Sequence, residues 1–317
     1  VLFGEVGSVF THDAEGHEAH VDRTMNVVGS GFMHGKFFDD MMSVHVHRTF
    51  DELPLDQQPS IVADTGCGDG TLLLRLYRYV RDRTRRGKQL EKRPLLMVGV
   101  DFNEASLVAT AKTLREAGVP FETMFGDIGD PEPIHEGLCS RFGARGKDDI
   151  LHVRSFLDHD RPYVAPTDGA ISAGAIEEES DAAYVRPDGA LLTRSLMYRS
   201  CVEHMRRWAG VAGRHGLLLL EVHSLKVADT ARYMAEATSL HFDALQSWSG
   251  QMLVPAPHWQ LALAHAGLLP DANLLCYPKD SPYTRITLQR LVPAPCAGIR
   301  RATRADLPQP LELAAQG

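Results

Sequence analysis

The chain has 317 residues, 44% of them hydrophobic and 23% charged, with a formal net charge of −8 and a pI near 6.0. That length allows one large domain or two small ones with an ample core, and the acidic balance weighs against a general nucleic-acid binder, which needs a basic face. No apolar run is long enough to span a membrane, and no secretory leader is visible at the start.

The five cysteines, Cys67, Cys139, Cys201, Cys276 and Cys296, are scattered and include no C-x-x-C pair. Neither a zinc cage nor a disulfide framework is implied, and a reducing cytoplasm fits. The first residue is Val1 rather than Met, which suggests a piece excised from something longer. There are no internal repeats.

Residues 1–59 precede the most informative stretch. His12, His17 and His20 read as a surface segment, and Phe37 to Phe50 has helical spacing. We expect a helical N-terminal extension able to lie over a cofactor edge as a lid. His45 and His47 alternate with Val44 and Val46 and are expected on an exposed face.

Ile61-Val62-Ala63 then leads into Asp64-Thr65-Gly66-Cys67-Gly68-Asp69-Gly70, and Leu72, Leu73, Leu76 and Val80 follow on one helical face. This is a strand, a glycine-rich turn and a helix. Glycines let the backbone turn tightly and come close to a ligand, and the following helix offers free N–H groups. The spacing is G-x-G-x-G rather than the dinucleotide G-x-G-x-x-G, and the Lys-Ser/Thr pair of a P-loop is absent. An acid before the first glycine suits a ligand with a cationic amine and no phosphate. Asp64-x-Gly66-Cys67-Gly68-x-Gly70 resembles motif I of the class I methyltransferases that use S-adenosylmethionine (SAM).

The elements downstream keep the order of that class. Arg81 to Lys92 is a basic run, read as a solvated helix end that could also dock an acidic partner. Leu95 to Asp101 is a second strand ending in an acid, the position that accepts hydrogen bonds from ribose hydroxyls in nucleotide-binding α/β units. A helix over 104–117 follows, then a third strand, Phe121 to Ile128. The resemblance, which covers about residues 60–160, implies that Asp127 bonds the adenine amine and that Ile128 packs on the ring. It also implies that Phe102 lies beside the cofactor with Asp101.

Residues 149–155 form a fourth strand, and Gly216 to His223 a fifth, apolar nearly throughout as a central parallel strand should be. Between them lie the segment Phe156 to Tyr163, a long loop with Glu177-Glu178-Glu179, and a helix over 192–208. Helical stretches are expected over 229–246 and 259–266, with His258 and His265 on a surface helix. Strands are expected over 274–277 and 284–292. The predicted architecture is a seven-stranded, mostly parallel α/β sheet of the class I methyltransferase (Rossmann-like) type. The lid occupies 1–59, the core 60–292 with a loop-helix insertion near 160–208, and a linker-like tail 293–317.

Ligands bind outside the carboxyl ends of strands in such sheets. His159 follows strand four and His223 ends strand five. Neutral imidazole near pH 7 suits a general base, and imidazole is also a common metal ligand. Asp158 and Asp160 flank His159, and Arg161 and Tyr163 could line an acceptor pocket.

Four elements are similar to the C-methyltransferase domains of polyketide synthases. They are Ser30-Gly31-Phe32-Met33-His34 with Phe37-Phe38-Asp39-Asp40, the Phe156 to Tyr163 segment, Leu220-Glu221-Val222-His223, and Phe242-Asp243-Ala244-Leu245-Gln246. Ordinary members of that family use a metal-free His/Glu dyad on a β-ketoacyl carrier-protein substrate. Here His223 matches the His, and Gln246 stands at the Glu position. That resembles the methyltransferases of starter-unit loading modules, which bind mononuclear iron or manganese with histidine and glutamine.

The resemblance implies a C-methyltransferase that acts on malonyl- or methylmalonyl-acyl carrier protein through a metal-stabilised enolate. His159, His223 and Gln246 would hold the metal, and neighbouring synthase domains would be partners, with no nucleic acid or membrane. The alternatives are a metal-free C- or O-methyltransferase with His223 as general base, and an inactive domain that binds SAM or a carrier. A nucleic-acid methyltransferase is disfavoured, because Arg154-Ser155-Phe156-Leu157 stands where an Asn/Asp-Pro-Pro-Tyr motif would be.

Overall fold

The computed structural model describes residues 35–169, 171, 173, 176, 181–186, 190–237, 240, 251–271 and 273–294. The Ser30 to His34 segment, the histidines at 12, 17 and 20, the acidic run 177–179, the 242–246 element with Gln246, and the tail from 295 lie outside these residues.

Local sequence dictates the first half. β1 (Ile61–Thr65) is buried at every position. α1 (Thr71–Arg83) buries Leu72, Leu73, Leu76, Tyr77 and Val80, the i, i+3, i+4 stripe of an amphipathic helix. β2 (Leu96–Asp101), α2 (Glu104–Glu116), β3 (Phe121–Phe125) and α3 (Pro131–Ser140) follow in alternation. Asn103 caps α2 by accepting the N–H of Ala105. β4 (Ile150–Ser155) and β7 (Leu217–Val222) complete the parallel part of the sheet.

The strand order is β3-β2-β1-β4-β7-β10-β8, with β9 (Leu275–Tyr277) also paired to β10 (Ile286–Pro293). β1, β2, β3, β4 and β7 run parallel, and β10 is antiparallel to β7, β8 (Leu268–Pro270) and β9. This is the class I methyltransferase, Rossmann-like fold. β8 was not anticipated; its three residues lie between the expected helical stretch 259–266 and the expected strand 274–277.

Side chains alternate between the faces of a strand, and both faces here are covered. Leu218 and Leu220 pack with α1 and the N-terminal helical segment, whereas Leu217 and Leu219 pack with α4 (Arg194–Val211) and α6 (Ala256–His265). That double burial explains why β7 reads as a continuous apolar run.

Residues 35–52 are helical, as the spacing of Phe37 to Phe50 implied, and bury Phe37, Phe38, Met41, Met42, Val46 and Phe50. The short strands β5 (Tyr184–Val185) and β6 (Leu191–Leu192) pair antiparallel before α4. α5 (Val227–Tyr233) is shorter than the stretch expected from 229, and the rest of that stretch is mostly outside the described residues.

Two expectations about histidines are corrected. His45 is buried, because π-type turns over 41–46 rotate it inward against β10. His258 is also buried rather than on a free helix face.

Burial leaves several histidines neutral. It pushes His45 and His215 down to about 4, and His152 and His223 down to about 3. An unfolded histidine titrates near 6.5, so below that pH the unfolded chain binds more protons than the folded one. Stability must therefore fall as pH drops from 6.5 toward 4, by up to about 1.4 kcal/mol per pH unit for each histidine. We expect urea unfolding at pH 5 to give a stability lower than at pH 7 by on the order of several kcal/mol. Equal midpoints and slopes at the two pH values would contradict these assignments.

Candidate functional site

The cleft lies where the strand order reverses, at the carboxyl ends of β1 and β4. Glycines 66, 68 and 70 have φ of +78°, +57° and +78°, the left-handed region that residues with a Cβ avoid. A Cβ on Gly66 would stand 2.7 Å from Leu157 Cδ2, so the turn also needs glycine for close packing against the segment after β4. The turn is tied to the sheet by the N–H groups of Gly66 and Cys67, which donate to Val100 O at 2.8 and 3.2 Å. From the other side, Thr110 Oγ1 on α2 donates to Gly68 O at 3.0 Å.

Asp64, Gly66, Gly68, Asp101, Phe102 and Ile128 all line this cleft. Asp101 accepts the N–H of Asn103 at 2.9 Å and that of Gly68 at 3.4 Å, which holds its carboxylate at the rim. Asp64 is buried, and its Oδ1 has no hydrogen-bond partner among the described residues. Burial, with the carboxylates of Asp101 and Asp69 adding to it, raises the Asp64 pKa well above the usual range. A buried acid kept short of partners by neighbouring acids is stabilised as an anion when a cation enters. The cleft thus fits a ligand that carries an ammonium and a sulfonium.

Asp127 is not brought to the cleft wall. The chain turns at Gly126, and the exposed Asp127 side chain accepts the N–H of Gly129 at 2.7 Å. Ile128, one residue on, faces inward.

Behind the cleft lies a buried polar network that joins the ends of β4 and β7. Glu221 accepts the backbone N–H groups of Asp158, His159 and Val222 at 2.7, 3.3 and 2.6 Å. It also pairs with His159 Nδ1 at 2.7 Å. Asp158 turns away from His159: it takes a two-pronged bond from Arg154 at 3.0 and 2.9 Å and pairs with His204 at 2.9 Å. Arg154 stacks over Trp208 with its guanidinium carbon 4.1 Å from the ring centroid. Arg161 donates to Asp158 O at 2.7 Å, a structural contact. Asp160, by contrast, lines the cleft with Leu157.

The two histidines have different environments. Burial works against charge on His159, but the Glu221 carboxylate outweighs it, and the pKa is raised. His223 lies 3.1 Å from Val254 O through Nδ1 and 2.7 Å from Thr287 Oγ1 through Nε2. A carbonyl only accepts, so Nδ1 carries the proton and the Nε2 lone pair is taken by the Thr287 hydroxyl. Burial first, then the positive charges of Arg285 and His159, push His223 down to about 3.

These commitments bear on the expected metal. His159 Nδ1 and both nitrogens of His223 are engaged by protein atoms, and Gln246 lies outside the described residues. Among the described residues no group of three His, Cys, Asp or Glu is placed to hold a metal ion. As arranged, His223 has no nitrogen left for a metal, whereas His159 keeps Nε2.

Sequence reasoning named Glu221, Phe38 and Phe156 only as members of longer elements and gave them no role of their own. The signal for Glu221 was a lone carboxylate in an otherwise apolar buried strand, since such a group must be satisfied from within the protein.

Replacing Asp101 with Ala removes an acceptor worth about 1.5–3 kcal/mol for a charge-assisted bond, so SAM affinity should fall roughly 10- to 100-fold in titration calorimetry. Gly66→Ala should weaken it by about tenfold or more, because the left-handed conformation costs a Cβ-bearing residue roughly 1–2 kcal/mol. Binding of either variant within twofold of the original chain would refute the cofactor assignment of that residue.

Among solved structures, the chain is similar to the citrinin polyketide synthase CMeT domain, with 14% identity, 84% of this chain and 52% of that chain covered, and a TM-score of 0.45. It is also similar to the CurJ carbon methyltransferase, with 12% identity, 92% and 64% covered, and a TM-score of 0.46. A third similarity is to LepI in complex with SAM, with 14% identity, 78% and 46% covered, and a TM-score of 0.42. The chain spans about half the length of LepI and of the citrinin domain chain. No curated protein matches it. No helix among the described residues is long and apolar enough to cross a membrane. Residues 18–289, which hold the glycine turn, both carboxylate rims and the two histidines, match the AprA MT2-like domain, and the chain belongs to that family of SAM-dependent methyltransferases.

Proposed function

We propose that the chain is a C-methyltransferase of a polyketide synthase, acting on the α-carbon of a malonyl or methylmalonyl group on an acyl carrier protein. The observation that carries this reading is the buried His159–Glu221 pair beside the cofactor cleft, bracketed by cleft-lining Leu157 and Asp160. A carbon acid needs a base next to the methyl donor. A histidine whose second nitrogen is held by a carboxylate is such a base, with its tautomer and ring orientation set.

The reaction follows from these groups. Asp64 and Asp101 hold SAM by its cationic and ribose ends, and the acyl group enters on the side of β4 and β7. Glu221 occupies Nδ1 of His159, so Nε2 is the nitrogen left to accept the α-proton. The C–H electron pair becomes the enolate, whose carbon attacks the sulfonium methyl in line. One C–C bond forms, the S–CH3 bond breaks, and neutral S-adenosylhomocysteine leaves. The proton stays on His159, where Glu221 offsets the imidazolium charge, until solvent removes it.

His223 would be the base only after its lone pair leaves Thr287. A metal held by His159, His223 and Gln246 would require His223 to give up Thr287 or Val254, whereas His159 could offer Nε2 with Glu221 still on Nδ1. The carrier protein and neighbouring synthase domains are the partners this reading implies.

Methylation of malonyl-carrier protein, followed by intact mass, is the test. We expect transfer that survives a strong chelator and falls about 10²- to 10⁴-fold in His159→Gln, the usual contribution of a general base, with SAM binding retained. Because the pKa of His159 is raised, the rate should climb with pH through a limb above 6.5, where neutral imidazole appears. Glu221→Gln should move that limb to lower pH. Activity lost on chelation and restored by iron or manganese would replace this reading with the metal-assisted one. No transfer to any malonyl-type thioester would leave a SAM- or carrier-binding role.

A further inference from the structure

The helical segment 35–52 reaches the cofactor cleft through Phe38, which lines it together with Phe156. Phe156 is a non-glycine residue at φ +54°, anchored by its N–H to Leu220 O at 2.7 Å. A bulky side chain held in that region stores strain that the surroundings must maintain. Part of those surroundings is an aromatic chain. Phe156 packs edge-on against Phe37 at 5.9 Å, and Phe37 packs edge-on against Tyr277 of β9 at 5.0 Å. The chain closes on itself, because the Tyr277 hydroxyl donates to Asp40 Oδ2 at 2.5 Å, one helical turn after Phe37. Lys279 Nζ lies 2.8 Å from the same carboxylate oxygen. On the other flank, Arg75 of α1 donates to Gly35 O at 3.0 Å and sits over the Phe38 ring at 5.7 Å.

The segment is therefore tied at both flanks, and its two consecutive phenylalanines serve different neighbours. Phe38 forms cleft wall, and Phe37 bridges Tyr277 to the strained Phe156. The Arg75 tie uses a backbone carbonyl, and a Cβ at position 35 would stand 3.1 Å from the Arg75 guanidinium. Arg290 to Thr49 and Arg48 to Asp271 anchor the far end of the segment, and the Asp40–Tyr277 tie is the side-chain pair that fixes the end carrying Phe37 and Phe38.

We propose that the Asp40–Tyr277 hydrogen bond is a clasp that seats residues 35–52 against the cofactor cleft and so governs how long the cofactor stays bound. Asp40 and Tyr277 are positioning residues: they act through Phe37, Phe38 and Phe156 and touch no reacting atom. The inference rests on the cleft being the SAM site. Asp40 is partly exposed, and Tyr277→Phe removes a single oxygen, so the fold should tolerate both changes.

The test is release of S-adenosylhomocysteine from the whole chain, followed by stopped-flow fluorescence, with hydrogen exchange of the 35–52 amides measured in parallel. Tyr277→Phe and Asp40→Asn should each speed release roughly 5- to 20-fold, as expected for a charge-assisted bond discounted for partial exposure. The double variant should release no faster than Asp40→Asn alone. Exchange over 35–52 should rise in both variants while the unfolding midpoint holds. Release within twofold of the original chain in Tyr277→Phe, or additive effects in the double variant, would overturn the clasp. If the original chain fails to bind the cofactor product, the SAM reading falls instead. Exchange over 35–52 then decides the clasp by itself: a rise in Tyr277→Phe upholds it and no change rejects it.

Discussion

The carboxylate of Glu221 is the interaction on which the site depends. It sits at the end of a strand buried on both faces, where an unpaired charge would be prohibitive. Three backbone N–H groups and His159 Nδ1 satisfy it. Two of those N–H groups belong to Asp158 and His159, in the short turn after β4. One side chain on β7 therefore determines the path of the segment that carries Leu157, His159 and Asp160 past the cleft. Without it, each orphaned donor would cost about 1–3 kcal/mol, and the turn would lose its template.

Around that anchor the protein separates opposite electrostatic demands. Arg154 and His204 satisfy Asp158 on the side away from the cleft, packed under Trp208. On the cleft side, Asp64 has an oxygen without a partner among the described residues, and Asp101 holds neutral donors, the backbone of Asn103 and Gly68 and the side chain of Ser106. Charges inside are neutralised by protein, and charges at the rim are left for a cationic ligand. The same division distinguishes the two histidines. His159 shares a carboxylate and gains basicity, whereas His223 is bonded at both nitrogens to Val254 and Thr287 and loses it.

The lining of the cleft was legible because it is local. Asp64, Gly66, Gly68, Asp101, Phe102 and Ile128 follow their strands at short range, and a strand-turn-helix order places them at one sheet edge by geometry alone. Asp127 shows the limit of that logic. A single turn at Gly126 sends its side chain outward to Gly129, and no pattern of residue types announces the direction of a turn. The burial of His45 was misjudged for a related reason: its alternation with valines suggested an exposed face, but the backbone there winds with a π-type pitch that changes which side chains face inward.

Sequence by itself determined the fold class, the glycine turn and the burial of the central strands, since these follow from hydrophobic period, glycine placement and the order of elements. Tertiary structure alone decided which side chains at the ends of β4 and β7 meet. His159 and Glu221 are 62 positions apart, as are Arg285 and His223, while Tyr277 and Asp40 are separated by 237. Partners at such distances are chosen by strand register and by the need to satisfy every buried polar group. The local run of residues can flag that a buried group such as Glu221 needs partners, but not which residues supply them.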